Sequence, residues 1–190
     1  EILLLKDLPV ERIVSHIISN EITVEEVVEY YLERINKFNH SLNAIVSLKN
    51  EEKIREEARN KNPKKTKEGK EMLLFGLPLA VKDLVDIKGF PTSYGLPELK
   101  NNIATQNSIM VNRLLNHGAI IIGKTNTPEF GVGSHTTNKL FGVTTNVFDS
   151  TKSAGGSSGG AASAVAASMV PFADGSDMMG SCRNPAAYAN

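Results

Sequence analysis

Gly118-Ala119-Ile120-Ile121-Ile122-Gly123-Lys124-Thr125 matches the G-x-x-x-x-G-K-T pattern of a phosphate-binding loop letter for letter. That chemistry needs a strand before the first glycine and a helix after the lysine. The neighbouring residues supply the opposite order. Residues 105–116 read as a helix, and Gly118 sits where the C-terminus of such a helix is closed. The strand is then residues 119–122, inside the pattern, and nucleotide binding is set aside. What remains is a helix that feeds a short, wholly apolar strand.

Outward from that point the alternation continues. Residues 77–81 form a second apolar, strand-like run, and residues 159–169 read as a helix. Strands alternating with helices imply an α/β layered fold. Toward the N-terminus, Val24, Val27, Val28, Tyr31, Ile35 and Phe38 recur at helical spacing and form one apolar stripe. Thr23 and Glu26 have the spacing of a capping box at the start of that helix. A strand-like run follows at residues 44–48. Residues 49–71 then carry 15 charges of both signs in 23 positions, interrupted by Pro63. A solvated helix followed by a mobile loop is expected there rather than a binding tail. The organisation expected is an N-terminal helical segment with a charged loop, residues 1–72, and a core, residues 73–190, in one domain.

With 190 residues the chain is long enough for one domain with a real core. Its formal net charge is zero, so nothing electrostatic favours a nucleic-acid partner or an acidic membrane surface. The longest uncharged stretch, 153–173, is Gly- and Ser-rich, and its apolar part is too short to span a bilayer. Cys182 is the only cysteine, which rules out an internal disulfide and fits a reducing, cytoplasmic location. His16, His40, His117 and His135 show no ligand spacing, so no metal site is expected. Glu1 and Asn190 look like arbitrary ends, and the expectation is an N-terminal part of a longer chain, incomplete at the C-terminus.

Three segments carry candidate chemistry. In residues 153–168, every residue but Val165 is Gly, Ala or Ser, and Gly155-Gly156-Ser157-Ser158-Gly159-Gly160 leads into an alanine-rich helix. Glycines let a ligand or another strand approach the backbone, and a helix start offers N–H donors. The composition fits a flexible linker or a close-packed small-residue helix as well. Next, Gly175-Ser176-Asp177-Met178-Met179-Gly180-Ser181-Cys182-Arg183 is a small-residue turn ending in serine. Such a turn can aim several N–H groups at one developing oxyanion, or it can be an ordinary turn with a surface ion pair. Last, Gly76-Leu77-Pro78-Leu79-Ala80-Val81-Lys82-Asp83 ends an apolar strand on a lysine. Burial there would favour the neutral amine, while an exposed strand-end charge is the plainer reading. Gly155 to Gly159 also fits the G-x-S-x-G elbow, but that fold needs a histidine downstream and the last one, His135, lies upstream.

Together these motifs, with Gly123-Lys124-Thr125-Asn126-Thr127-Pro128-Glu129-Phe130-Gly131, resemble the amidase signature family over about residues 73–190, in order and at compatible spacing. The resemblance implies a twisted mixed β-sheet core covered by helices on both faces, and a serine amidase that hydrolyses a carbon–nitrogen amide bond of a small substrate. Lys82 falls on the family's base, Ser157 on its bridging serine, after a cis peptide bond from Gly156, and Ser181 on its nucleophile. The N–H groups of Met178, Met179, Gly180 and Ser181 fall on its oxyanion loop. Gly156, Ser158, Asp177 and Arg183 are expected as supports. No metal or organic cofactor is implied, and a homodimer is the assembly left open. Two positions depart from the pattern. Met179 stands where the family usually has glycine, which would narrow the acyl pocket or demand a changed backbone angle. Cys182 replaces an aliphatic residue and is read as a small buried hydrophobe. The alternatives are a glutaminase resembling the glutamyl-tRNA(Gln) amidotransferases, and a family member without catalysis.

Overall fold

The computed structural model describes residues 5–61 and 72–190. Two helices, α1 (Val10–Ile18) and α2 (Val24–Leu42), open the fold. The capping box is present: Thr23 Oγ1 accepts from Glu26 N, and Thr23 N donates to the Glu26 carboxylate. A cap of this kind is worth about 1 kcal/mol. The apolar stripe of α2 faces inward, with Val24, Val27, Val28, Tyr31 and Ile35 buried and Phe38 half-buried. Each fully buried aliphatic side chain of this size contributes roughly 1.5–3 kcal/mol.

Strand β1 (Ile45–Leu48) leads to α3 (Glu51–Asn60). This helix is not solvated all round, contrary to what its charge density implies. Ile54 and Ala58 are buried, and Arg55 bridges Glu29 of α2 and Glu51. Sparse apolar residues at a four-residue spacing are enough to turn one face inward. The mobile loop expected after it, with Pro63, lies outside the described residues.

The core sheet has the order β1-β3-β2. Strands β2 (Pro78–Lys82) and β3 (Ile120–Thr125) run parallel, with Lys82 opposite Thr125. Strand β1 pairs antiparallel with β3, so the sheet is mixed and draws on both halves of the sequence. Side chains alternate across it. Ala80, Ile120 and Ile122 pack with α1, α2 and Ala164 of α5 (Gly159–Ala166). Leu79, Val81 and Ile121 face the other way, onto Val111 of α4 (Ile109–Asn116). Helices therefore cover both faces. Lys124, the lysine of the phosphate-loop pattern, is in β3 and fully buried, where it cannot serve a phosphate.

A small hairpin, β4 (Thr137–Asn138) with β5 (Gly142–Val143), and a last helix, α6 (Arg183–Ala189), complete the described elements. Arg34 of α2 donates to the carbonyls of Ala167 and Ser168, clamping the end of α5 to the N-terminal helices. Among the described residues no helix is long and apolar enough to cross a membrane.

Candidate active site

Three segments converge beyond the C-terminal end of β2. Lys82 is the last residue of the strand, and 1% of its surface is exposed. Its backbone N–H donates to Asp174 Oδ1 at 2.6 Å, which fixes the strand end. The side chain reaches the small-residue segment. Lys82 Nζ lies 2.7 Å from Ser157 Oγ, 2.9 Å from Ser158 Oγ and 3.0 Å from Ser176 Oγ. Among the described residues, no carboxylate bonds to it.

The electrostatics follow from that arrangement. Burial disfavours the ammonium and lowers the pKa of Lys82; the charges of Cys182, Asp174 and Asp177 oppose the shift without cancelling it. Asp174 is displaced the other way, pushed up by its own burial against the Lys82 N–H and the charges of Lys82 and Lys124. A lysine among three hydroxyls keeps hydrogen-bond partners in both protonation states. A neutral amine offers one lone pair and two N–H donors; an ammonium offers three donors.

The Gly156–Ser157 peptide bond is cis, and Gly155 is left-handed. A Cβ on Gly156 would lie 2.7 Å from His135 N, so only glycine lets the two segments touch. Ser158 begins α5, and its N–H donates to Ser181 O at 3.1 Å, tying the two serine segments together.

Ser181 is half-buried in the loop before α6. It lines a cavity of about 550 Å³ together with Ser157, Ser176, Met178 and Met179. No hydrogen bond joins the Ser181 and Ser157 hydroxyls. Asp177 organises this loop. Its carboxylate accepts from the N–H groups of Gly180 (2.7 Å), Cys182 and Arg183 (both 3.1 Å), and from the Arg183 guanidinium at 3.0 and 2.9 Å. The guanidinium, then these N–H groups, hold the Asp177 carboxyl far below the usual carboxylate range.

Of the four N–H groups expected to serve as oxyanion donors, that of Gly180 is bonded to Asp177. The N–H groups of Met178, Met179 and Ser181 have no acceptor among the described residues. No changed backbone angle is needed at Met179: the left-handed residue of the loop is Gly180, at φ 103°, and Met179 is not left-handed. Cys182 is half-buried, less enclosed than expected, with Sγ 3.8 Å from Ser158 Oγ.

Two neighbours of Lys82, Ser176 and Asp174, escape the sequence reading. Asp174 had a signal: it is the first charge after the 21 uncharged residues 153–173. Ser176 had none beyond its place in the turn. Behind the lysine lies a second buried network. Lys124 Nζ is 3.3 Å from Asp83 Oδ1 and 2.6 Å from Val85 O, and Asp83 also accepts from Ser93 N and Oγ. Among the described residues, no cluster of His, Cys, Asp and Glu could hold a metal.

Comparison with known proteins places this geometry. The Amidase family model matches residues 26–190. An acylamidase of Rhodococcus erythropolis is 41% identical over 175 residues, covering 91% of this chain and 36% of that protein. A glutamyl-tRNA(Gln) amidotransferase chain of Alkaliphilus metalliredigens is 42% identical over 172 residues, covering 90% and 35%. Among solved structures, a bacterial aryl acylamidase of the amidase signature family superposes with a TM-score of 0.87 at 34% identity, over 95% of this chain and 37% of that one. A 6-aminohexanoate cyclic dimer hydrolase complexed with substrate gives 0.84 at 30% identity, over 94% and 36%. The chain thus spans little more than a third of the length of these relatives.

Proposed function

The chain belongs to the amidase signature family, and on that premise we propose that it supplies the catalytic groups of a serine amidase. In this reading neutral Lys82 takes the proton of Ser157 as Ser157 takes that of Ser181. The Ser181 oxygen adds to the amide carbonyl. The oxyanion is received by the N–H groups of Met178, Met179 and Ser181, each of which is worth roughly 3–4 kcal/mol to such a transition state. The proton returns through Ser157 to the departing nitrogen, the C–N bond breaks, and an acyl-Ser181 ester remains. Water then attacks the ester by the same relay and frees the acid. The mechanism needs a Ser157–Ser181 hydrogen bond, and both residues line the same cavity; such contacts commonly tighten only in the complex.

The observation that carries the reading is the lysine nitrogen held among three hydroxyls, buried and without a carboxylate partner among the described residues. The test is labelling of the full-length protein by a fluorophosphonate probe. Labelling that Ser181→Ala abolishes supports it; labelling that survives the substitution refutes Ser181 as nucleophile.

The likeness to a glutamyl-tRNA(Gln) amidotransferase favours a second reading, a glutaminase working with partner chains. Ammonia release from glutamine that depends on added partner chains would select it. A member without catalysis is the remaining alternative, and absence of any probe labelling would select that one. We take the partner to be a small-molecule amide and the location to be cytoplasmic; a homodimer is the assembly to test by light scattering.

A further inference from the structure

The end of β2 is tied down by a side chain where a sheet would use its backbone. Asp83 N donates to Thr125 O of β3, so the preceding N–H, that of Lys82, points to the opposite edge of the strand. On that edge Ala80 pairs in parallel with Ala173. One step further along, the acceptor for the Lys82 N–H is Asp174 Oδ1, at 2.6 Å, rather than a backbone carbonyl. The chain leaves the edge at Gly175, where it passes against Cys182 and Ser158. A Cβ on Gly175 would lie 2.7 Å from Cys182 Sγ and 3.2 Å from Ser158 Oγ. Ser176 then returns to the lysine, with Oγ 3.0 Å from Nζ. Residues 173–176 therefore grip Lys82 at both ends, Asp174 at the main chain and Ser176 at the amine.

The same carboxylate is a charge close to the base. Asp174 is half-buried, and the cations that act on it come from two strands, Lys82 of β2 and Lys124 of β3. Three titratable groups outside β2 act on the Lys82 amine: Cys182 and Asp177, on the loop before α6, and Asp174. The Asp177 carboxylate is bonded to the Arg183 guanidinium, which offsets its charge. Cys182 carries charge only once its thiol ionises. Asp174 is held by the N–H of the lysine itself, and a negative charge close to an amine favours the protonated form.

We propose that Asp174 is a positioning residue for the base: its carboxylate takes the edge N–H of Lys82 and so delivers the amine to the three hydroxyls, and its negative charge favours the protonated amine. The inference rests on the serine amidase reading and adds to it the group that sets the pH range in which the base is ready.

The test follows the rate at which a fluorophosphonate labels Ser181 as a function of pH. It compares the full-length protein with Asp174→Asn and Asp174→Ala, each checked for folding by chemical denaturation. In the native protein the rate should rise with pH as Lys82 loses its proton. Asparagine keeps an acceptor for the N–H and removes the charge, so the midpoint should move to lower pH by about 0.5 or more. Alanine removes both. Its midpoint should move the same way, and its plateau rate should fall about 10-fold or more, further than that of the asparagine variant. A merely structural role would lower both plateaus and leave the midpoints in place. That result, with normal native labelling, overturns the inference and leaves the amidase reading standing. If Asp174→Asn does not fold, the Lys82 amide of the native protein decides, ¹⁵N-labelled at lysine and assigned through Lys82→Arg. Movement of its signal as pH falls from about 7 to about 4 supports a bond to an ionised carboxylate, and a signal that stays in place overturns it. A native protein that does not label at all overturns both readings.

Discussion

Lys82 Nζ and Ser157 Oγ lie 2.7 Å apart, although the two residues are 75 positions apart in sequence and one ends a strand while the other follows a cis peptide bond. In the proposed mechanism Ser157 is the route from the lysine toward Ser181. Ser157→Ala should therefore lower kcat by roughly 10²–10⁴, the usual range for losing a positioned acid–base group, with KM changed much less. Steady-state kinetics on the full-length protein measures this, with chemical denaturation confirming that the variant is folded.

Among the described residues, Asp177 bonds only within its own loop, and on the proposed reading it positions that loop. Asp177→Asn keeps the shape but weakens five charge-assisted bonds, among them the one to the Gly180 N–H. We expect slower probe labelling and a lower kcat, on the order of 10-fold or more, because misplaced N–H groups stabilise the oxyanion less well. The pH sign is fixed by the depressed pKa. A carboxylate held below its ordinary 3.8 keeps its full contribution above that value and loses it only as pH falls further. Labelling rates, corrected for the ionisation of Lys82, should show no loss of loop order between about pH 5 and 4 in the native protein.

The buried Lys124–Asp83 pair fixes the residue next to Lys82. Removing one partner leaves an uncompensated buried charge, at a cost of about 3–5 kcal/mol. Lys124→Met and Asp83→Asn should each destabilise by that order. The double substitution should cost clearly less than the sum, since each charge is buried largely because of the other. Chemical denaturation of the four proteins gives the cycle; strict additivity would show that the two side chains are not energetically coupled.

Much of this fold is legible from local pattern. The capping box at Thr23 and Glu26, the stripe of α2, and the two apolar strands need only side-chain periodicity to be seen. Ends are less legible, because caps decide them. Helix α4 begins at Ile109 rather than near residue 105 because Ser108 Oγ accepts from Val111 N. Helix α5 stops at Ala166 rather than 169, before Ser168 turns left-handed. The hairpin of β4 and β5 is two residues per strand, too short for any periodicity to show. The pairing of β1 with β3 joins Leu48 to Gly123, a contact for which a four-residue run holds no information.

The site divides in the same way. Lys82, Ser157 and Ser181 stand out through resemblance, since a lysine ending a strand and two serines in small-residue turns are individually ordinary. Ser176 and Asp174 are invisible by that route, because their importance comes from where the chain returns: one bonds the lysine side chain, the other its backbone N–H. The bond from the Gly180 N–H to Asp177 is likewise a matter of where Asp177 points, which spacing does not encode.

The most direct measurement is the titration of Lys82 itself, by NMR of the full-length protein labelled with ¹³C at lysine Cε and assigned through Lys82→Arg. The expected result is a Lys82 signal, told apart from those of Lys61 and Lys124 by the substitution, that titrates below the ordinary 10.5, with kcat/KM rising through the same midpoint as the amine loses its proton. A Lys82 that stays charged up to an ordinary pKa, with activity indifferent to its titration, would contradict the role of the lysine as base.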